Sequence, residues 1–287
     1  MIRGNIFLTL KNGMNSLSEA QILEPKKEAV DMLANVLNKD RTFLYAHPEF
    51  DVNPKQLKAF KKFVGQRARR LPLSYVLGQC DFLDLSLEVD SRVLVPRPET
   101  EILAKAMIAK YKHVNSSNPQ FLDLGTGCGC LALSLAKNLK ATVWASDISK
   151  GALKVASENV KRQNLSKNIR LIHGDLFKPF SNKKFHGFFS GIISNPPYVS
   201  LVEQKQLMPE VLKEPRIALF AGKNGLNVIE KIVAQAPRYL KRGGWLGLEI
   251  GRGQRNQISQ WLIQSGFSVQ ECHQDLLGID RVILAKK

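Results

Sequence analysis

Asp123-Leu124-Gly125-Thr126-Gly127-Cys128-Gly129-Cys130 is the stretch on which the reading of this 287-residue chain turns. It closes an apolar run over 121–124 and opens a helical pattern over 130–138. Glycine adopts backbone angles that other residues avoid and lets a chain approach a ligand closely. Glycines at alternate positions between a strand and a helix therefore predict a tight ligand-facing turn. Working outward, strand-like runs fall at 121–124, 142–146, 169–173, 191–194 and 245–250. Helical spacing occupies 130–138, 150–163, 226–240 and 254–264 between them. Such alternation builds a mostly parallel sheet with helices on both faces. The last two runs, 267–272 and 281–285, are joined by a loop too short for a helix, so they predict an antiparallel hairpin at one sheet edge.

Upstream of this region the pattern differs. Residues 1–80 read as a helical domain without catalytic motifs. Ala29, Met32, Leu33, Val36 and Leu37 have helical spacing over 25–38. Asn53-Pro54 reads as an N-cap followed by proline at the first helical position. The next helix sets Leu57, Phe60, Phe63 and Val64 on one side, with Lys55, Lys58, Lys61, Lys62, Arg67, Arg69 and Arg70 making the remainder basic. A small bundle of this kind suits docking better than catalysis. Residues 81–101 read as a β-hairpin linker. Leu85, Leu87 and Val89 alternate with polar residues, and Val93-Leu94-Val95 returns after Asp90-Ser91. The linker ends in Pro96-Arg97-Pro98-Glu99-Thr100-Glu101, followed by a helix from 102 to about 111 and a polar loop over 113–119. Residues 102–287 form the ligand-binding α/β domain.

The composition bounds the setting. With 44% hydrophobic residues the chain can bury a substantial core. Its four cysteines are too few, over this length, for a disulfide framework, which predicts a reducing, cytoplasmic compartment. The apolar stretch 6–10 is too short for a signal-peptide core, and no run of about 18 apolar residues predicts a membrane span. The net charge of +17 is compatible with an acidic partner such as nucleic acid. The lysines are scattered, however, and solvated surfaces explain them as well.

The glycine spacing narrows the ligand. A dinucleotide fingerprint places glycine at its first, third and sixth positions. Here the sixth position is Cys130 and the fifth is Gly129. This G-x-G-x-G form is that of an S-adenosylmethionine loop, which has no pyrophosphate to cradle. Gly125, Thr126, Gly127, Cys128 and Gly129 are the expected loop contacts. Asp147, at the end of the next strand, can accept from two ribose hydroxyls. Asp175 can accept from the adenine amino group, and Leu176 can pack on the ring. Cys128 and Cys130 have no partner pair at zinc spacing, so no metal site is expected.

Asn195-Pro196-Pro197-Tyr198 follows the strand run 191–194, at the carboxyl end where open α/β sheets bind ligands. Two prolines fix the backbone and remove amide donors. The Asn195 side-chain oxygen and the Pro196 carbonyl can then both accept from an NH2 on a planar substrate, and Tyr198 can stack on its flat face. An amide nitrogen is a poor nucleophile because its lone pair is delocalised. Two acceptors can aim that lone pair at an activated methyl and offset the positive charge that develops on nitrogen.

The chain resembles the HemK/PrmC-type release-factor glutamine methyltransferases. The resemblance runs nearly end to end. It rests on Asp40-Arg41-Thr42-Phe43-Leu44, His47-Pro48-Glu49, Pro72-Leu73-Ser74-Tyr75-Val76-Leu77-Gly78 and Val95-Pro96-Arg97-Pro98-Glu99-Thr100-Glu101. Glu214-Pro215, Ala218-Leu219, Gly225-Leu226 and Glu249-Ile250-Gly251 continue it after the Asn-Pro-Pro-Tyr segment. It implies a Rossmann-like class I methyltransferase sheet with a small N-terminal helical domain that helps dock the substrate. It implies methyl transfer to the glutamine of the Gly-Gly-Gln motif in class 1 peptide chain release factors. By the same resemblance Gly125, Thr126, Gly127, Cys128, Gly129, Asp147, Asp175, Leu176 and Asn195 line the S-adenosylmethionine site. Asn195, Pro196, Pro197 and Tyr198 hold the glutamine, and the Pro96-Arg97-Pro98 turn closes over the cofactor. The alternative is an adenine-N6 or guanine-N2 methyltransferase acting on DNA or RNA, since an exocyclic amino group is also a planar NH2. No inserted target-recognition segment is evident, so no stable nucleic-acid complex is expected.

Overall fold

A computed structural model describes residues 4–112 and 118–287. Most of the polar loop expected over 113–119 lies outside the described residues. The chain divides into two compact units, Met1–Gln79 with Met208–Lys213, and Cys80–Leu207 with Glu214–Lys287.

The first unit is helical. A short antiparallel bridge pairs β1 (Gly4–Asn5) with β2 (Asp51–Val52). Helix α1 (Ile6–Glu19) is capped by Asn5, whose side chain accepts from Leu8 N. Helix α2 (Pro25–Leu37) ends at Asn38, which takes the left-handed conformation common at helix C-termini. A short α3 (Arg41–Ala46) is capped by Asp40. The Asn53-Pro54 signal opens α4 (Pro54–Ala68), with a reciprocal capping box between Asn53 and Gln56. A further short helix, α5 (Leu73–Leu77), completes the unit. Ile6, Leu17, Met32, Leu33, Leu44, Phe60 and Val64 form its core.

One expectation about α4 is corrected. Arg67 does not belong to a solvated basic face. Its side chain is only 6% exposed and pairs with Glu28 at 2.5 Å and with Glu210 at 2.9 Å, while Arg70 reaches Glu210 at 3.0 Å. Glu210 lies in the 208–213 segment of this same unit. Helical periodicity alone cannot reveal an acidic partner 143 residues away.

Next in the chain is a hairpin of β3 (Gln79–Phe82) and β4 (Leu85–Glu88), turning at Leu83 with φ of +53°. The hairpin therefore starts earlier than the alternation suggested, and Val93-Leu94-Val95 is not a strand. The prolines at 96 and 98 cannot donate to a ladder. The Val95 amide donates instead to the Glu214 carboxylate. Helix α6 (Pro98–Tyr111) begins four residues before the expected start at 102, with Pro98 in its first turn and Glu99 and Glu101 near its positive end.

The α/β layer follows the predicted order. It comprises β5 (Gln120–Leu124), α7 (Cys130–Leu139), β6 (Thr142–Asp147), α8 (Lys150–Arg162), β7 (Ile169–His173) and β8 (Phe189–Ser194). A short α9 (Arg216–Leu219), then α10 (Asn227–Tyr239), β9 (Leu240–Glu249), α11 (Arg255–Gln264), β10 (Ser268–Gln274) and β11 (Asp280–Lys286) end the chain. These strands form a seven-stranded sheet in the order β10-β11-β9-β8-β5-β6-β7. Only the pairings of β10 with β11 and of β11 with β9 are antiparallel. The order reverses between β5 and β8, placing a crevice at their carboxyl ends. Phe121, Leu122, Leu124, Ile192, Ile193, Leu246 and Leu248 are buried in the sheet that supports it.

Candidate active site

A cavity of about 260 Å³ lies at that crevice. Gly125, Thr126, Gly127, Cys128, Asp147, Asp175, Leu176, Asn195 and Pro197 all line it. Four separate sequence segments, each at the carboxyl end of a strand of the sheet, thus bring most of the expected site residues together. Gly129, Pro196 and Tyr198 are not among the lining residues.

The glycine loop fits a ligand laid against its backbone. Gly125 and Gly127 have φ of +71° and +57°, and a Cβ on either would meet no atom within 4 Å. Such angles favour glycine, and the space beside them is open. The loop is anchored from below. Gly125 N and Thr126 N donate to Ser146 O at 2.8 and 3.0 Å. Thr126 Oγ1 donates to Asp123 Oδ2 at 2.6 Å, so its hydroxyl braces the loop. Asp123 is fully buried, and that burial pushes its carboxyl up to about 7, against the pull of the Thr126 bond. Gly129 caps α7 with φ of +88°. Cys128 and Cys130 are buried there, and the Cys128 carbonyl accepts from Asn159 Nδ2.

Asp147 ends β6 with its carboxylate already held. Oδ2 accepts from Gly127 N at 2.9 Å and Oδ1 from Ser149 N at 2.8 Å. Burial raises its pKa, and these two backbone bonds act against that rise. Each oxygen retains a lone pair for a hydroxyl on a ligand. Asp175 is partly exposed and pairs with Lys178 at 2.8 Å. Leu176 lines the cavity in a left-handed conformation, φ +47°, which costs a non-glycine residue energy.

Asn195 sits directly after β8. Its Nδ2 donates to Thr100 Oγ1 at 3.0 Å. The Thr100 hydroxyl donates in turn to Glu249 Oε2 at 2.6 Å, and the Tyr198 hydroxyl donates to Glu249 Oε1 at 3.1 Å. Glu249 and Thr100 are 0% and 1% exposed. Burial pushes the Glu249 carboxyl up to about 7, while the two hydroxyls pull it down. Burial and the neighbouring Glu249 charge hold the Tyr198 phenol well above its ordinary range. The backbone of the tetrapeptide is held as well. Gln254 Nε2 donates to the Tyr198 carbonyl at 3.0 Å. Gly225 passes so close that a Cβ would lie 2.2 Å from that carbonyl. On the other wall, Glu214 accepts from Val95 N and from Arg97 at 2.5 Å, which ties down the Pro96-Arg97-Pro98 turn.

Thr100, Glu214, Glu249 and Gln254 went unassigned by the sequence reading. Three of them stand in segments that carry the family resemblance, which was the available signal. Their roles depend on contacts across as many as 149 residues. Among the described residues no cluster of three His, Cys, Asp or Glu side chains could hold a metal ion. Among the described residues no helix is long and apolar enough to cross a membrane.

The sheet order, the antiparallel end hairpin and the glycine turn beneath a strand-end crevice define a class I methyltransferase. The methyltransferase of Pyrococcus furiosus shares this fold, with a TM-score of 0.52 and 22% identity over 71% of this chain and 90% of that one. Residues 98–222 match the methyltransferase small domain, and residues 9–78 match the PrmC N-terminal domain. The release factor glutamine methyltransferase of Thermodesulfovibrio yellowstonii is 38% identical over 264 residues, 91% of this chain and 92% of that protein. The release factor glutamine methyltransferase of Geobacter sulfurreducens is 36% identical over 93% of this chain and 91% of its own length. The chain belongs to the release factor glutamine methyltransferases, a family of protein-(glutamine-N5) methyltransferases.

Proposed function

We propose that this protein transfers a methyl group from S-adenosylmethionine to the side-chain amide nitrogen of the glutamine in the Gly-Gly-Gln motif of class 1 peptide chain release factors. The observation that carries this reading is the Asn195 amide. Its nitrogen is engaged by Thr100, which leaves its oxygen for the cavity that the glycine loop also lines.

S-adenosylmethionine supplies an electrophilic methyl on a sulfonium. Gly125, Thr126, Gly127, Cys128 and Gly129 hold its amino-acid end, Asp147 its ribose, and Asp175 and Leu176 its adenine. Asn195 Oδ1 and the Pro196 carbonyl accept from the substrate NH2, with Pro197 and Tyr198 beside it. The two acceptors turn the nitrogen lone pair toward the methyl and stabilise the charge that grows on nitrogen as the bond forms. A base is needed only after transfer, when the methylated amide has become acidic enough to release its proton. The helical unit serves docking of the release factor. The four free cysteines support a reducing, cytoplasmic setting.

The test is a labelling assay with S-adenosylmethionine carrying a labelled methyl group. A class 1 release factor is expected to take the label at its Gly-Gly-Gln glutamine, and a Gly-Gly-Glu variant of it is not. DNA and ribosomal RNA run as parallel arms, because the +17 charge suits an acidic partner. Label in nucleic acid alone would establish the adenine-N6 or guanine-N2 reading in place of this one.

A further inference from the structure

We propose that Glu249 is a positioning residue that decides, through Thr100, which end of the Asn195 amide faces the substrate nitrogen. The inference rests on the reading of Asn195 as the amide acceptor.

The chain of bonds has one direction. A threonine hydroxyl has a single proton. Thr100 gives it to Glu249 Oε2 at 2.6 Å. What remains toward Asn195 is lone-pair density alone, so only an N–H can face it. Asn195 therefore turns Nδ2 to Thr100 at 3.0 Å and presents Oδ1 to the cavity. The opposite rotamer would set Oδ1 against a hydroxyl oxygen with no proton left to give. It would also offer N–H donors to a substrate NH2, which carries donors of its own.

A neutral partner at 249 would weaken this bias, because an amide can donate to Thr100 as well as accept from it. If residue 249 donated to Thr100, the threonine proton would swing to Asn195 and hold its oxygen, leaving the amide nitrogen in the cavity. A buried carboxylate prevents that because it can only accept. Both of its oxygens are engaged by hydroxyl donors, Thr100 on one and Tyr198 on the other. Glu249 ends β9, and its neighbour Leu248 pairs with Ser194, the residue before Asn195. The carboxylate is thus built into the sheet beneath the tetrapeptide, with no access to solvent. Burying a carboxylate is unfavourable, and here it does so beside the site rather than in the remote core.

The experiment uses the full chain, a release factor and labelled S-adenosylmethionine, well above neutral pH. Thr100→Val keeps the shape and removes the hydroxyl, Thr100→Ser restores it, and Glu249→Gln keeps the shape and removes the charge. Losing one oriented hydrogen bond should lower kcat roughly tenfold or more in Thr100→Val and in Glu249→Gln. The S-adenosylmethionine Kd by calorimetry and the release-factor KM should stay within about twofold in Glu249→Gln, whose side chain does not line the cavity, and Thr100→Ser, which keeps the hydroxyl that Thr100 presents at the cavity wall, should match it. Thr100→Ser should recover most of the lost kcat. The double variant should be no slower than the slower single, because the residues act as one unit. Calorimetric binding of S-adenosylmethionine identifies variants that have folded. Wild-type kcat in either Thr100→Val or Glu249→Gln overturns the proposal, as does a Thr100→Ser loss as deep as that of valine. A wild-type enzyme that fails to label the release factor sinks the underlying reading instead, so the two failures are distinct.

Discussion

Asn195 and Asp147 sit on one cavity and are expected to fail in different ways when truncated. On the proposed mechanism, Asn195→Ala removes an acceptor that matters as positive charge builds on nitrogen. It should lower kcat by about 3 kcal/mol of transition-state stabilisation, the scale for one oriented polar group. S-adenosylmethionine affinity should hardly change. Asp147→Ala removes the carboxylate that Gly127 N and Ser149 N hold in place. Two backbone donors and, on the proposed reading, the ribose then lose their acceptor, so affinity should fall on the order of tenfold or more. Calorimetry together with single-turnover rates separates the two. If Asn195→Ala keeps its turnover, the asparagine has no part in the chemistry. If Asp147→Ala binds S-adenosylmethionine as tightly as the wild type, the ribose lies elsewhere.

Elements are fastened by means that differ between the two units. The tetrapeptide follows the carboxyl end of β8, and hydrogen bonds from Gln254 and a close pass by Gly225 hold its backbone. Helix α6 supplies Thr100 because it begins at Pro98, four residues before the sequence reading started it. Proline in the first turn was the missed signal, since its lost amide has no partner there in any case. In the helical unit, α4 is fastened to α2 and to the 208–213 segment by Arg67. Arg67→Ala leaves the part-buried Glu28 without its cation, while Glu210 keeps Arg70. Removing one partner of a buried pair costs about 3 kcal/mol or more. Thermal or urea melts should show that loss, and a change below about 0.5 kcal/mol would mean the pair is a surface-like contact.

At the scale of the whole molecule, two buried carboxyls make stability depend on pH in an unusual sense. Glu249 and Asp123 are both pushed up to about 7 by burial. The folded chain therefore holds these protons more tightly than the unfolded chain does. Stability from this source is full below the ordinary carboxyl range near pH 4 and is lost as pH rises toward 7. For Glu249 the loss is on the order of 3 kcal/mol. Glu249→Gln cannot ionise, so its melting temperature relative to wild type should climb between pH 5 and pH 7.5, about the window of the shift. A constant difference across that window would show that Glu249 titrates normally. The carboxylates with lowered pKa values, Glu210 and Glu271 among them, act at more acidic pH and leave this comparison untouched.

The same scale separates what was legible in the chain from what was not. The alternation of apolar runs, the glycine turn and the proline-bound tetrapeptide are local, and local pattern determined the sheet, its order of strands and helices and the place of its ligand crevice. Backbone conformation at Gly125 or Pro196 depends on residues next to it, so it can be read without neighbours in space. Pairings across long separations followed another rule. Arg67 reads as one more surface cation until Glu28 and Glu210 arrive beside it. Val93 to Val95 reads as a strand until Glu214 takes the Val95 amide. Glu249 reads as the polar end of a strand, yet folding buries it completely against two hydroxyls from other segments. Hydrogen-bond direction and carboxyl ionisation depend on which groups share a buried space, and only the tertiary structure sets that.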